Sequence, residues 1–534
     1  MGRRKEIKYY NGRLQGSRLT DEDCNRLESI IKLNQKKGCI PELKNIIYDL
    51  SPSDVDTILE TGSNDLVELR KGELEDPQTL GVAYLYFAKR ALLGDSVGLG
   101  KTVEVCGLCN LLEADLEKEG VDFRYLLLTG KTLVTGTTRK MVQFTGNYTE
   151  SLFGEKDKIL KYRKEHEGEL PPNTVGTHSL LNSVHFQEYI LGFKEEYGYC
   201  PYDLLVIDEA GDILKNSGNQ TYNNSKQIAD MFDRVVLLNA TSFEKELKQF
   251  YNQIHFLDDS FLPTKTEFEK RYMVYQYGIM PYPVFKGEYK NQKEFRQLVG
   301  YRYFQRTRKF LGAKMKDCTA EVIVSELSKV QKQLLTMVSM PNMVYDCPSY
   351  FANIMPGLET SVETTPKLRD LVDLVNKLMS EEGGCGPILV YTNYKEAQKC
   401  IKAELDLYDI DCAIMNGDTP QNVRDLLTTE FQLGDLPVLI TNVQKGLDFG
   451  NCNYCIFYDY DANPNNMVQF EGRMTRSYDI IGKHVYLLIS KGKELSNFKK
   501  VIADRAKASD VFTGSDYSCV MSILLNDEKL KGLK

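Results

Sequence analysis

Residues 91–119 read ALLGDSVGLGKTVEVCGLCNLLEADLEKE. Ala91 to Leu93 close a short apolar run, glycines follow at 94, 98 and 100, and from Thr102 onward the pattern is helical. A strand, a glycine-rich turn and a helix in that order form a cradle for phosphate. The glycines let the backbone curl until its N–H groups point at anionic oxygens, and the helix N-terminus adds a favourable dipole. Lys101 would neutralise the β and γ phosphates of a nucleotide, and Thr102 would hold Mg²⁺. The strict GxxxxGKT spacing asks for glycine at position 95, where this chain has Asp95. A match of this kind can also be a chance glycine turn, so its weight depends on what accompanies it.

About a hundred residues on, LLVIDEA (204–210) places Asp208 and Glu209 at the carboxyl end of an apolar strand, the edge at which open α/β sheets bind ligands. One carboxylate can hold Mg²⁺ while its neighbour takes a proton from an attacking water. The plainer alternative is a pair of exposed acids ending a strand. Near the other end, QFEGRMTR (469–476) sets Arg473 and Arg476 three apart, on one helix face, where both can converge on a single anion. Negative charge spreads over a transferring γ-phosphate, and an arginine supplied from another lobe stabilises it. Taken alone, two such arginines are an ordinary solvated face.

Short apolar runs bounded by turn residues recur on both sides of these motifs. YLLLT ends at Thr129, YDLLVIDEA spans 202–210, and RVVLLNAT ends at Thr241; a second series holds PILVYTN from Pro387, DCAIMNG from Asp411, LPVLITN from Leu436, YCIFYDY from Tyr454 and HVYLLIS from His484. Such runs are buried strands of parallel sheets. The expected architecture is α/β, with two lobes joined by a helical insertion. Its expected boundaries are an N-terminal accessory region at 1–75 with a helical stretch from Thr20 to Leu33, a first lobe at 76–243, a helical protrusion and linker at 244–330, a second lobe at 331–495, and a helical tail at 496–534.

Composition bounds the rest. The 534 residues suit two to four domains. A formal net charge of −8 argues against non-specific coating of nucleic acid, so any grip must come from particular Lys, Arg and backbone N–H groups. No apolar run reaches the roughly 18 residues a membrane span needs. The opening MGRRKEIKYYNGR has no apolar stretch behind it, and Glu6 stands where a myristoylation signal wants Ser or Thr. A cytoplasm-like compartment is the expectation, and the thirteen scattered cysteines fit it as reduced thiols. The pairs Cys106/Cys109 and Cys452/Cys455 have CxxC spacing, yet they fall in different lobes and no histidine is close in sequence, so buried apolar thiols are the better reading than zinc ligands.

In order along residues 76–495, the chain resembles the superfamily-two ATPases, and among them the Swi/Snf-type DNA translocases. PQTLGVAYLYFAKRALLGDSVGLGKT is similar to the family's opening, in which a glutamine, here Gln78, reads adenine. DEAGDILKNSGNQTY resembles the extended second motif with its Lys-Asn pair, here Lys215 and Asn216. LLNATSFEKELKQFYNQIHFLDDSFLPTKTEFEKRY is similar to the third motif and protrusion. GYRYFQRTRKFLG resembles the arginine-rich joining segment, and NGDTP, TNVQKGLDF and QFEGRMTR the second-lobe motifs. The resemblance implies two RecA-like lobes with ATP and Mg²⁺ between them. It implies Gly98, Gly100, Lys101, Thr102 and Gln78 on the nucleotide, Thr102 and Asp208 on the metal, and Glu209 as base. Gly446, Asp448 and Gln469 line the cleft, and Arg473 and Arg476 reach the γ-phosphate. Thr129, Lys131, Thr177, Asn393 and Thr441 take positions at which relatives touch a nucleic-acid backbone, although each alone reads equally well as a polar strand cap. The 302–316 stretch, with Arg302, Arg306, Arg308 and Lys309 among aromatics, is either a nucleic-acid contact or a brace joining the lobes.

The implied track is duplex DNA, with single-stranded DNA or RNA as alternatives, and protein partners would meet the N-terminal region. A strand-separating helicase and a non-hydrolysing nucleotide-dependent scaffold are the competing functions. The compactness of the chain would suit a phage or viral genome. Three departures from the family pattern stand out. Gly211 replaces the second-motif histidine that couples the ATP site to nucleic acid, NATS stands in the third motif, and SYDI follows Arg476. The coupling role is either absent or carried by another group, with Asn239 to Ser242 the candidates.

Overall fold

The computed structural model describes residues 76–95, 98–152, 156–214, 216–239, 247–276, 284–299, 302–305, 319–336, 365–380, 386–443, 449, 452–461, 467, 470 and 483–510. The chain divides into two compact units, with the division after residue 312.

In the first unit the described helices are α1 Asp76–Ala88, α2 Lys101–Lys118, α3 Val134–Thr145, α4 Lys156–Glu165, α5 Val184–Tyr197, α6 Gly211–Leu214, α7 Gln220–Ala229, α8 Leu247–Leu257, α9 Lys265–Tyr272 and α10 Gln292–Val299. The strands are β1 Arg90–Leu93, β2 Tyr125–Thr129, β3 Glu150–Leu152, β4 Asn173–Thr177, β5 Leu204–Ile207, β6 Arg234–Leu238, β7 Met273–Gln276, β8 Val284–Tyr289 and β9 Tyr303–Phe304. Seven of these strands form one parallel sheet in the order β3-β4-β2-β5-β6-β1-β9, while β7 and β8 make a separate antiparallel ribbon.

The second unit holds β10 Thr319–Ser325, α11 Lys329–Leu334, α12 Pro366–Met379, β11 Ile388–Tyr391, α13 Lys395–Asp406, β12 Cys412–Met415, α14 Gln421–Leu433, β13 Val438–Thr441, β14 Tyr454–Phe457, β15 His484–Ser490 and α15 Lys493–Asp510. Its six strands are parallel in the order β10-β15-β14-β11-β13-β12.

The expected α/β architecture with parallel sheets in two lobes is present. All the apolar runs singled out above are strands, and they are apolar throughout because both faces of each sheet are covered. Along β11 the alternation is visible directly: Leu389 and Tyr391 enter one hydrophobic cluster, while Ile388 and Val390 enter another on the opposite face. Cys106 and Cys109 lie in the first unit's core and Cys452 and Cys455 in the second's, each as a buried free thiol. Burial pushes the Cys106 thiol up to about 12. No described helix is long and apolar enough to cross a membrane.

The described elements cut across two of the expected boundaries, and one strand goes unannounced by the apolar pattern. Residues 244–330 are not a purely helical insertion: they contain the β7–β8 ribbon, give β9 to the first sheet and give β10 to the second. The 495/496 boundary cuts through α15. β4 is a strand that the apolar pattern does not announce, because NTVGT is polar. Its Gly176 is the reason it fits: a Cβ there would lie 2.3 Å from Leu180 Cδ1 and 3.2 Å from the Leu152 carbonyl oxygen, so only glycine admits both neighbours. The Thr20–Leu33 stretch, with the rest of 1–75, lies outside the described residues.

Candidate active site

The glycine-rich turn takes the shape its sequence demands. Gly98 and Gly100 have φ of 89° and 87°, a left-handed conformation natural to glycine. Gly100 caps α2, its carbonyl accepting from the Val103 and Glu104 amides at 2.7 and 3.2 Å. Lys101 Nζ donates to the Asp95 carbonyl at 2.6 Å, so the lysine reaches back across the loop it belongs to. The residue that breaks the strict motif therefore contributes its main chain, and its own side chain is fully buried. Gln78, arriving from α1, donates from Nε2 to the Leu99 carbonyl at 3.2 Å. A Cβ on Gly100 would come within 2.3 Å of that same nitrogen, so the Gln78 amide lies directly on the loop.

Asp208 and Glu209 follow β5, two strands from β1 with β6 between them. The register Leu93↔Leu238 and Leu237↔Ile207 brings all three strand ends to one edge. At about 4.8 Å per strand, the loop and the acidic pair stand on the order of 10 Å apart across that edge. Asp208 is fixed from three directions. Thr129 Oγ1 donates to Oδ2 at 3.1 Å, the Glu209 amide donates to Oδ1 at 2.9 Å, and the Asp208 amide donates to the Leu128 carbonyl at 2.8 Å. His178 Nε2 also lies 2.8 Å from the Asp208 carbonyl oxygen, a support that nothing in the sequence motif signals. Glu209 has φ of 51°, a conformation L residues rarely adopt and one that surrounding contacts must hold in place. A Cβ on Gly130 would lie 3.8 Å from Glu209 Oε2, which places that carboxylate at the end of β2.

Gly211 is explained by its neighbour. A Cβ there would meet Asn239 Nδ2 at 2.5 Å, so the asparagine amide fills the space above the glycine. Asn239 directly follows β6, its backbone amide donates to the Leu93 carbonyl at 3.1 Å, and its Nδ2 donates to Gln253 Oε1 on α8 at 3.0 Å.

The residues at positions where relatives touch nucleic acid divide. Thr129 and Thr441 are wholly buried. The Thr129 hydroxyl serves Asp208, and Thr441 Oγ1 accepts the Val443 amide at 2.9 Å. Thr177 is 6% exposed, with Oγ1 2.6 Å from Ser179 Oγ, and Asn393 Nδ2 donates to Asp459 Oδ1 at 2.6 Å. Lys131 is exposed just past β2. Gly446, Asp448, Gln469, Arg473, Arg476, Lys215, Arg306, Arg308 and Lys309 lie outside the described residues, whereas Arg302 is described and pairs with Asp258 at 3.1 Å.

Known proteins share this sequence pattern. Residues 77–346 match the SNF2-related domain, which covers just over half of the chain, and residues 366–478 match the helicase conserved C-terminal domain. The uncharacterized ATP-dependent helicase YqhH of Bacillus subtilis is 20% identical over 493 residues, covering 84% of this chain and 82% of that protein. The DNA repair and recombination protein RAD54B of Mus musculus is 22% identical over 472 residues, 75% of this chain and 51% of the relative. Chromodomain-helicase-DNA-binding protein 8 of Danio rerio is 20% identical over 513 residues, 85% of this chain and 19% of the relative. The chain thus spans most of the first relative, about half of the second and a fifth of the third. With the phosphate loop, the acidic pair and both domain matches in one register, this chain belongs to the SNF2-related family, as an ATP-hydrolysing enzyme of the helicase and translocase type.

Proposed function

We propose that the chain uses ATP hydrolysis to move along duplex DNA, remodelling or displacing what is bound there. The observation that carries this is the gathering of the Gly98–Thr102 loop, with Gln78 laid on Gly100, and the Asp208–Glu209 pair at one edge of one sheet. Lys101 and the amides at the start of α2 hold the phosphates. Gln78 contacts the base, and Glu209 accepts the proton of the attacking water. Arg473 and Arg476, from the second matched domain, stabilise charge on the γ-phosphate. Gln469, Gly446 and Asp448 of the second matched domain are proposed to contact the nucleotide as well. A hydroxyl at Thr102 and a carboxylate at Asp208, already oriented by Thr129 and the Glu209 amide, are the hard oxygen donors that suit Mg²⁺. When bound, the ion would supply charge neutralisation between the phosphates.

Duplex DNA as the track is supported by membership in the SNF2-related family and by a relative named for DNA repair and recombination. Thr129, Lys131, Thr177, Asn393 and Thr441 are the described candidates for contacts that position a strand without reading its sequence. The test is ATP turnover with no polymer, with duplex DNA, with single-stranded DNA and with RNA. Duplex DNA of arbitrary sequence should stimulate most, and added salt should weaken the effect through lost counterion release. A triplex-forming third strand should be displaced while a forked duplex stays closed. Stimulation by RNA alone, or efficient fork opening without triplex displacement, would replace this reading with a strand-separating helicase.

A further inference from the structure

Asn239 sits between the two halves of the ATP site. It directly follows β6, which lies between the strand that feeds the phosphate loop and the strand that feeds Asp208 and Glu209. Its amide donates to Leu93 on the loop side, while the Ala210 amide donates to Leu238 on the acidic side, at 3.1 and 3.0 Å. Its side chain covers Gly211, two residues beyond the left-handed Glu209, and reaches Gln253 in the middle of α8. Asn239 and Gln253 are 5% and 2% exposed, so this amide contact is made out of water, where a hydrogen bond is stronger and its loss costs more.

The contact continues along α8. Five residues past Gln253, roughly 7–8 Å of helix rise, Asp258 pairs with Arg302 at 3.1 Å, and Arg302 Cζ lies 5.5 Å from the Phe261 ring centre. Burial alone would raise the Asp258 carboxyl. Its bonds from Ser260 and Arg302 outweigh that and hold it below the ordinary carboxylate range. Arg90 pins the same end of the helix, its Nε donating to the Leu257 carbonyl at 2.6 Å. The 302–304 segment in turn lies along β1: the Arg302 and Phe304 carbonyls accept from Leu92 and Gly94, each at 2.7 Å. Phe304 also stacks on Tyr84 of α1, the helix that carries Gln78. Beyond this segment the chain continues into the second unit.

We propose that Asn239 and Gln253 are positioning residues that pass the state of the Glu209 turn, through α8 and the Asp258–Arg302 pair, to the 302–304 segment. The Asn239 amide enters from the end of the neighbouring strand, and glycine at 211 is what makes room for it. The relay rests on the ATPase reading above. Its direction requires that the Glu209 turn has two arrangements and that the buried amides move with it.

The probe is steric. Asn239 Nδ2 is the tip of a side chain that can rotate away, so Gly211→Ala breaks the contact by displacing a side chain and leaves the backbone in place. Hydrogen exchange at residues 302–305 is compared with and without the non-hydrolysable analogue AMP-PNP, beside ATP turnover with and without duplex DNA. In the wild type, AMP-PNP should slow exchange at 302–305. In Gly211→Ala, Asn239→Ala and Gln253→Ala that difference should vanish, and the ratio of DNA-stimulated to polymer-free turnover should fall about tenfold. Gly211→Ala added to Asn239→Ala should cause no further loss, because the contact it breaks is already gone.

A wild type with no nucleotide-dependent exchange at 302–305 overturns the proposal. So do variants that keep both the exchange difference and the stimulation ratio within twofold of wild type, or losses that add independently in the double variant. A wild type that no polymer stimulates would instead defeat the DNA-track reading, and the exchange measurement would still decide the relay.

Discussion

Asp208 and Asp459 stand at matching places in the two units and live in different surroundings. Each comes just after a central strand, β5 in one case and β14 in the other, and each faces the end of a neighbouring parallel strand. In both, a threonine from that neighbour donates its hydroxyl to the carboxylate, Thr129 to Asp208 and Thr392 to Asp459. There the likeness ends. Asp208 is half-buried and its other oxygen takes only the adjoining Glu209 amide among its described hydrogen bonds. Asp459 is 2% exposed and also accepts from the Asn393 amide at 3.1 Å and from Asn393 Nδ2 at 2.6 Å. Burial pushes its carboxyl up to about 6, although Thr392, the nearby Lys367 and Asn393 all pull the other way. Lys367 is itself committed, paired with Glu494 at 2.9 Å, both side chains almost fully buried. The same fold position thus gives one carboxylate with capacity left for a ligand, and another whose donors lock a turn.

If this contrast is functional, the largest effect of breaking it should come from the second unit's arginines. Arg476→Ala should leave ATP binding to the first unit nearly unchanged while turnover falls roughly 10³–10⁵, the range for loss of an arginine finger. Arg473→Ala should fall in the same direction, and lysine at either site should rescue little, since a point charge does not reproduce the planar fork. Nucleotide binding by equilibrium titration and single-turnover hydrolysis separate the two effects, and normal DNA-stimulated turnover in Arg476→Ala would remove the arginines from the mechanism.

Glu209→Gln should come next, binding ATP and then stalling with a loss of about 10²–10⁴, as for a missing general base. A variant that cannot retain ATP would make Glu209 a support of the strained turn and not a base.

Asp459 sharpens the comparison from the other side. Asp459→Asn should cost about 1–3 kcal/mol of stability, because it turns an NH₂ toward buried donors that lose their acceptor. Turnover in the surviving folded protein should change little, and chemical denaturation followed alongside ATPase rate distinguishes the two. The pH dependence has a definite sign. A carboxyl raised from 3.8 to about 6 binds its proton more tightly in the folded chain, so this group favours folding most below its ordinary range. That contribution is lost as pH rises through about 6. Between pH 4 and 7 the wild type should therefore lose stability relative to Asp459→Asn, and parallel curves would show that Asp459 is not buried as described.

Sequence alone carried the fold class, because runs such as Leu204–Ile207 and Ile388–Tyr391 are apolar on every residue, which only doubly covered parallel strands require. It also marked Gly98, Gly100, Lys101, Asp208 and Glu209, because a phosphate loop needs glycine at positive φ and a strand end is where a carboxylate meets a ligand. Those demands are local and show as spacing. What it did not disclose is who stands beside whom across long gaps: Thr129 with Asp208, His178 with the Asp208 carbonyl, Gln78 on Gly100. It could list Asn239 among the groups able to replace the missing histidine, but it could not place the amide over Gly211 or bring Gln253 to meet it. These pairings are set by strand order and register, which bring β2 beside β5 and β6 between β5 and β1. Hydrophobic pattern says that a strand is buried. It does not say which strand lies next to it, and the polar groups at the ends are sorted into ligand sites or structural knots only once that order exists.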